Sequence, residues 1–222
     1  MSSAQACWTS VAPQFEQICS HPFVLGLADG TLPEEVFVRY LVDDAHYLDQ
    51  YARVLAQLAV RAPTTAGVEL LAGFAVGAIA AERGLHRDFL APRGLDPDVD
   101  VVPDATPACA EYTGFLMATA ASEPFDVGLA AVLPCFRVYS EVGLRIMAGR
   151  TPGEHPYSAW IDSYAAPEFA DAVRRAEAYL DEVVVEEAAV RAAYARSTHL
   201  EWMFWDAAWH GPTLRAHPTT QR

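Results

Sequence analysis

Positive charge is what this chain has least of: 15 lysines and arginines stand against 29 aspartates and glutamates, a formal net charge of −14 over 222 residues. Such a surface repels polyanions, so nucleic acid and anionic membranes are excluded as partners. Cysteine is also scarce. Cys7, Cys19, Cys109 and Cys135 lie far apart with no C-x-x-C pair, so neither a zinc site nor a dense disulfide framework is implied. Strand signals are few, with no Asn-Gly or Asp-Gly turn between alternating apolar runs. The opening residues, MSSAQACWTSVAPQFEQICSHPF, contain no basic stretch leading into an apolar run, so no signal peptide is expected. No uninterrupted apolar run reaches membrane-spanning length, and the expectation is a cytoplasmic protein with no membrane partner.

What remains is helix. A hydrophobic content of 52% supports a sizeable core, and 20% charged residues is too few for a disordered chain. The stretch 32–63 opens with Pro33 and two acids, stops before Pro63, and spaces its apolar residues at the helical period. Helices are expected next from about Thr65 through "GVELLAGFAVGAIAAERGLHRDFL", over "ACAEYTGFLMATAAS", and over "EPFDVGLAAVLPCFRVYSEVGLRIMAG". The Pro-rich "APRGLDPDVDVVPDATP" reads as a loop. After a loop with a short turn around "GEHPYSAWIDSYAA", one long helix is expected from about Pro167 to Arg196. A separate final helix is expected over "STHLEWMFWDAAW", capped by Ser197 or Thr198. The architecture is a single all-α domain over 1–222, roughly seven or eight helices in a bundle. The last ~10 residues are expected to be a flexible tail.

Three places put chemistry on apolar helix faces. In "LPCFRVYSE", Pro134 removes a backbone hydrogen bond and frees a carbonyl near Ala130, which predicts a kink beside Cys135. Tyr139, one turn on, shares the Cys135 face. A lone cysteine there is either a small buried hydrophobe or a nucleophile. In "LVDDAHYLDQY", Asp44, Tyr47 and Tyr51 form one stripe, so a buried Asp44 needs a ligand or a donor. Asp43 and Asp49 fall elsewhere around the helix and are expected to be solvated. In "HLEWMFWDAAW", Glu201 sits among Leu200, Trp202, Phe204 and Trp205. Such surroundings raise a carboxyl pKa and suit a proton donor, although a salt-bridged packing residue fits equally well. Trp202, Trp205 and Trp209 read as a packing stripe. The acidic run "YLDEVVVEEAAVRAAYAR" reads as a solvated or oligomer-facing helix, and Cys7, Cys19 and Cys109 as spectators.

Four ordered segments carry a resemblance over nearly the whole chain: "HPFVLGLADGTLPEEVFVRYLVDDAHYL", "LPCFRVYSEVG", "HPYSAWIDSYAAPEF" and "EWMFWDAAW". The chain resembles the cysteine-bearing branch of the TenA/thiaminase II family. That resemblance implies a haem-oxygenase-like all-α fold, a homotetramer, and no cofactor or metal. It implies hydrolysis of 4-amino-5-aminomethyl-2-methylpyrimidine to the hydroxymethyl pyrimidine and ammonia, with cleavage of thiamin as a further activity. By position, Cys135 corresponds to the nucleophile and Glu201 to the acid/base. Asp44 corresponds to the residue that binds the aminopyrimidine edge and Tyr47 to a stacking aromatic. Tyr112, Tyr139 and Tyr164 correspond to pocket tyrosines, and Phe204 to an aromatic beside the glutamate.

One departure is visible. Arg137 stands where the family pattern often has tryptophan, off the Cys135–Tyr139 face, which bears on substrate access or subunit packing. Two rival readings remain. Glu82 and His86, at i and i+4, are a candidate pair for a helical di-iron oxidase, with His46 and His199 as possible supporting histidines. A non-catalytic pyrimidine-binding relative is the other. His21, before Pro22, reads as a loop residue that caps the next helix rather than a haem ligand.

Overall fold

In a computed structural model, the chain is described for residues 1–90, 105–150 and 153–211, apart from the side chains of residues 81, 82, 85, 86 and 88–90. The described residues form helices and no strand. Three helices of eight residues come first: α1 (Ser3–Ser10), α2 (Ala12–Cys19) and α3 (Pro22–Asp29). Only the helix after His21 is anticipated in the sequence, because eight residues span barely two turns and show little periodicity. His21 caps α3 as expected, its Nδ1 accepting the Phe23 amide at 3.1 Å. Gly30 ends α3 in the left-handed region at φ 78°, where glycine alone is unstrained.

Long helices follow: α4 (Glu34–Arg61), α5 (Thr65–Leu90), α6 (Pro107–Ser122) and α7 (Phe125–Gly149). Their limits lie close to those expected from the sequence. The segment 91–104 and the C-terminal tail 212–222 lie outside the described residues. The short turn expected near "GEHPYSAWIDSYAA" includes a seven-residue helix, α8 (Ser158–Tyr164).

The C-terminal third differs from expectation. The break falls at 184–186, between α9 (Pro167–Val183) and α10 (Glu187–His210), not at Ser197. Asp126, at the start of α7, is the reason: its Oδ2 accepts the amides of Val185 and Glu186 at 2.8 and 3.1 Å. Those amides lie immediately before α10, and the carboxylate fixes the turn that leads into it. Ser197 and Thr198 are therefore buried inside α10 rather than capping it.

Helix α10 touches α1, α2, α3, α4, α6 and α7, and α4 touches α5, α6 and α7. Between them lies an aromatic core that includes Trp160, Trp205, Tyr40, Tyr112, Phe23, Phe37 and Phe204, each less than 3% exposed. Helix α7 is long and apolar enough to cross a membrane, but 72% of its apolar window is buried in the bundle, as befits a core helix.

Candidate active site

Helix α7 runs unbroken through Pro134. Because Pro134 has no N–H, the carbonyl four residues before it loses its helical donor and the preceding turn loosens. Two hydroxyls from neighbouring helices bond to that turn. Ser197 of α10 donates to the Ala131 carbonyl at 2.6 Å, and Tyr51 of α4 donates to the Val132 carbonyl at 2.9 Å. The turn that carries Cys135 is thus pinned from both sides, and Ser197, expected as a cap, performs this task instead.

Glu201 lies one turn after Ser197 on α10 and is 1% exposed. The Tyr112 hydroxyl donates to its Oε1 at 2.7 Å. Burial pushes the carboxyl up to about 8, against the lowering effect of the Tyr112 hydrogen bond, so Glu201 holds its proton at neutral pH. The Tyr47 ring packs on Tyr112 at 4.9 Å and on Phe204 at 5.7 Å between centroids. Its buried hydroxyl has no hydrogen-bond partner among the described residues. An orphaned buried donor costs about 1–3 kcal/mol, a cost that a bound polar ligand would remove.

Tyr51, on the Asp44–Tyr47 stripe, joins this layer although it is not among the expected site residues. Its ring stacks on Tyr47 at 5.3 Å and an interplanar angle of 19°. Its hydroxyl is driven well above the ordinary phenol range by burial first, then by Cys135 and Glu201 beside it. The i+7 spacing from Asp44 was the available sequence signal.

Asp44 is 3% exposed. Its charge is felt at Tyr139, whose hydroxyl is raised chiefly by burial, with Tyr40, Glu201, Asp44 and Tyr164 adding to the effect. The Tyr139 ring lies 4.8 Å from Tyr164 and 5.2 Å from Trp205. Asp43 is also 3% exposed, contrary to the solvated position expected for it. It accepts the Thr106 amide at 2.9 Å and a short bond from the Thr106 hydroxyl, tying α4 to the start of α6. Asp49 is exposed and pairs with Arg53 as a surface residue should.

A cavity of about 580 Å³ reaches Cys135, with Tyr51, Phe74, Phe136, Tyr164 and Phe169 in its wall. Of the eight expected residues, Cys135 and Tyr164 line it. Asp44, Tyr47, Tyr112, Tyr139, Glu201 and Phe204 are buried in the core and form no part of that wall. Tyr112 bonds Glu201, and the Tyr139 ring packs on Tyr164. A soft nucleophile at the wall and a protonated carboxyl in the adjoining polar layer can add to a heteroaromatic ring carbon and protonate a ring nitrogen.

Arg137 faces away from this layer, in an ionic cluster joining α1, α7 and α9. Its guanidinium holds Glu177 at 3.1 Å and Glu141 at 2.9 Å and lies 4.9 Å over the Trp8 ring. No group of three or more metal-ligating side chains occurs among the described residues. The side chains of Glu82 and His86, the candidate metal pair, lie outside them.

Comparison with known proteins places this arrangement in a family. The sequence pattern of the TENA/THI-4/PQQC family matches residues 8–211, and the chain belongs to that family. The bundle has the haem-oxygenase-like fold. The chain is similar to the aminopyrimidine aminohydrolase of Bacillus subtilis, 30% identical over 214 residues, covering 94% of this chain and 90% of that one. It is also similar to the thiamine biosynthesis multifunctional protein ThiED of Corynebacterium efficiens, 40% identical over 74% of this chain. The match spans only 22% of the length of that multifunctional protein. Among solved structures, a TenA homologue from P. horikoshii OT3 superposes with a TM-score of 0.87 at 26% identity, covering 95% of this chain and 99% of that one.

Proposed function

We propose that this protein is an aminopyrimidine hydrolase of thiamin salvage. It converts 4-amino-5-aminomethyl-2-methylpyrimidine and water into the 5-hydroxymethyl compound and ammonia, and accepts thiamin as a further substrate. The observation that carries the proposal is a cavity-lining cysteine and a buried, protonated glutamate that share Tyr47, Tyr51 and Tyr112 as neighbours, in a chain similar to a protein named for this activity.

Water displaces the leaving group slowly, because the methylene hangs on an electron-rich aminopyrimidine. In the proposed route the Cys135 sulfur, as thiolate, forms a bond to a ring carbon while Glu201 delivers its proton to the adjacent ring nitrogen. Aromaticity is lost, and the ring's electron pair expels the protonated amine as ammonia. Water then adds to the exocyclic methylene, the carbon–sulfur bond breaks, and a proton returns to Glu201. Asp44 accepts from the ring amino group, and Tyr47 supplies a flat face. Ammonia release from the aminomethylpyrimidine, measured beside Cys135→Ser, is the test. Turnover in the wild type and its loss in a variant of full helicity is expected; equal turnover by Cys135→Ser would overturn the proposal.

The same reading includes a cytoplasmic homotetramer. Support for self-association comes from the outer face of α5, where Val68, Val76 and Ile79 are 41%, 69% and 40% exposed.

A further inference from the structure

We propose that Ser197 is a positioning residue of the reaction, whose hydroxyl holds α7 and α10 in the register that sets Cys135 level with Glu201. The inference rests on the hydrolase reading above and adds to it a residue outside the cavity.

Two contacts between these helices share one spacing in the sequence. Ser197 of α10 lies 66 residues after Ala131 of α7, whose carbonyl accepts its hydroxyl at 2.6 Å. Two turns further along both helices, the Trp205 and Tyr139 rings pack with centroids 5.2 Å apart, at the same separation in sequence. An antiparallel pair would reverse the second pairing, so α7 and α10 run side by side in one direction over about 12 Å. Midway between the two contacts, one turn from each, stand Cys135 on α7 and Glu201 on α10, again at that separation. The thiol and the carboxyl therefore lie at one height. Tyr47, Tyr51 and Tyr112 accordingly each feel both of them.

Only the lower contact can specify the register. Trp205 is buried and its indole N–H has no partner among the described residues, so the upper contact is ring packing, which tolerates sliding. The Ser197 bond is directional and joins two buried residues. It falls on the carbonyl that the i→i−4 pattern of a helix assigns to the Cys135 amide, and so ties α10 to the nucleophile's own turn. That turn needs a tether. Pro134 withholds the donor that the Ala130 carbonyl would otherwise receive, and a helix loosened there is free to tilt. Ser197 is no part of the wall of the Cys135 cavity, so it acts on the reaction through the backbone. In the proposed addition the sulfur bonds to one ring atom as the Glu201 proton reaches its neighbour. Both groups must meet one small ring together, and a misplacement of about 1 Å costs up to about a hundred-fold in rate.

The experiment compares Ser197→Ala with the wild type in ammonia release from the aminomethylpyrimidine. The expected result is a kcat lower by about ten- to a hundred-fold, with KM within about two-fold because the ring-binding groups stay in place. Alkylation of Cys135 by iodoacetamide at neutral pH, followed on its peptide by mass spectrometry, should keep nearly the wild-type rate. That reaction needs the thiolate but not Glu201. Pro134→Ala gives the Ala130 carbonyl its amide donor back, so Ser197→Ala should cost several-fold less kcat in that background. An unchanged kcat, or an equal loss in both backgrounds, would overturn the inference and leave the hydrolase reading intact. Alkylation accelerated as much as turnover is lost would mean an unfolded turn rather than a shifted one, and would also overturn it. If the wild type releases no ammonia, the hydrolase reading fails instead. Crystal structures of the wild type and Ser197→Ala then decide the tether alone: a Cys135 sulfur displaced relative to the Glu201 carboxyl supports it, and an unmoved sulfur overturns it.

Discussion

Glu201 shows how burial turns an ordinary carboxyl into an acid usable at neutral pH. Its unfolded value is near 4.5 and its folded value about 8, so the folded chain keeps a proton that the unfolded chain gives up between those pH values. The linked stability is fully present below pH 4.5 and is lost as pH rises through about 8. Glu201→Gln, which has no proton to lose, should therefore match the wild type in denaturant melts near pH 4.5. At pH 8 and above it should exceed it by a few kcal/mol. In kcat/KM, the alkaline limb should lie near 8, where Glu201 surrenders its proton. Tyr112→Phe removes the hydrogen bond that lowers this pKa and should move the limb upward. A limb that stayed in place in Tyr112→Phe would assign it to another group. The carboxyl's burial was legible because Glu201 interrupts an aromatic run. Its partner Tyr112, 89 residues away, is joined to it only by the fold. Asp43 is buried for a similar reason: nothing around it on α4 announces Thr106, 63 residues later.

Elements with strong amphipathic periods, such as α4 and α7, could be read directly, since their own apolar spacing decides them. The α9–α10 break could not. The run from Pro167 to Arg196 is locally helical throughout, and its interruption comes from Asp126, 59 and 60 residues away from its partners Val185 and Glu186. Asp126→Ala leaves those two amides without their acceptor and should cost about 1–2 kcal/mol, read as a lower Tm. An unchanged Tm would mean that water replaces the carboxylate. Arg137 joins α7 to α9 by a more deeply set contact. Arg137 and Glu177 have side chains only 22% and 17% exposed, and burial already raises the Glu177 carboxyl despite its partner. Arg137→Trp, which restores the residue common in the family pattern, strands that carboxylate and should cost about 3 kcal/mol. Adding Glu177→Gln should recover most of the loss, and that recovery in a double-mutant cycle is the measurement that counts. Additive losses would show that the two residues act independently.

At the scale of the whole molecule, a chain rich in helical periods and poor in strand signals also leaves an apolar helix partly uncovered. Among its described side chains, helix α5 buries only a narrow stripe, Gly67, Leu71 and Ala75, each one turn from the next. Gly67 is required there, because a Cβ would overlap the Tyr179 ring of α9. Next to that stripe α5 presents Val68, Val76 and Ile79 to the outside, while Gly73 and Gly77 border the Cys135 cavity. A helix apolar nearly all round is stable only when most of its surface is covered. Self-association through α5, as in the proposed tetramer, would cover it. Val76→Glu combined with Ile79→Glu places two like charges on that face and should shift the sedimentation-velocity profile to a smaller species without loss of helicity. Because the cavity lies against the same helix, separated protomers should also show a raised KM for the aminopyrimidine, restored at protein concentrations high enough to reassemble them. An unchanged sedimentation coefficient in the double variant would remove α5 from the interface, and its exposed valines would then need a different partner.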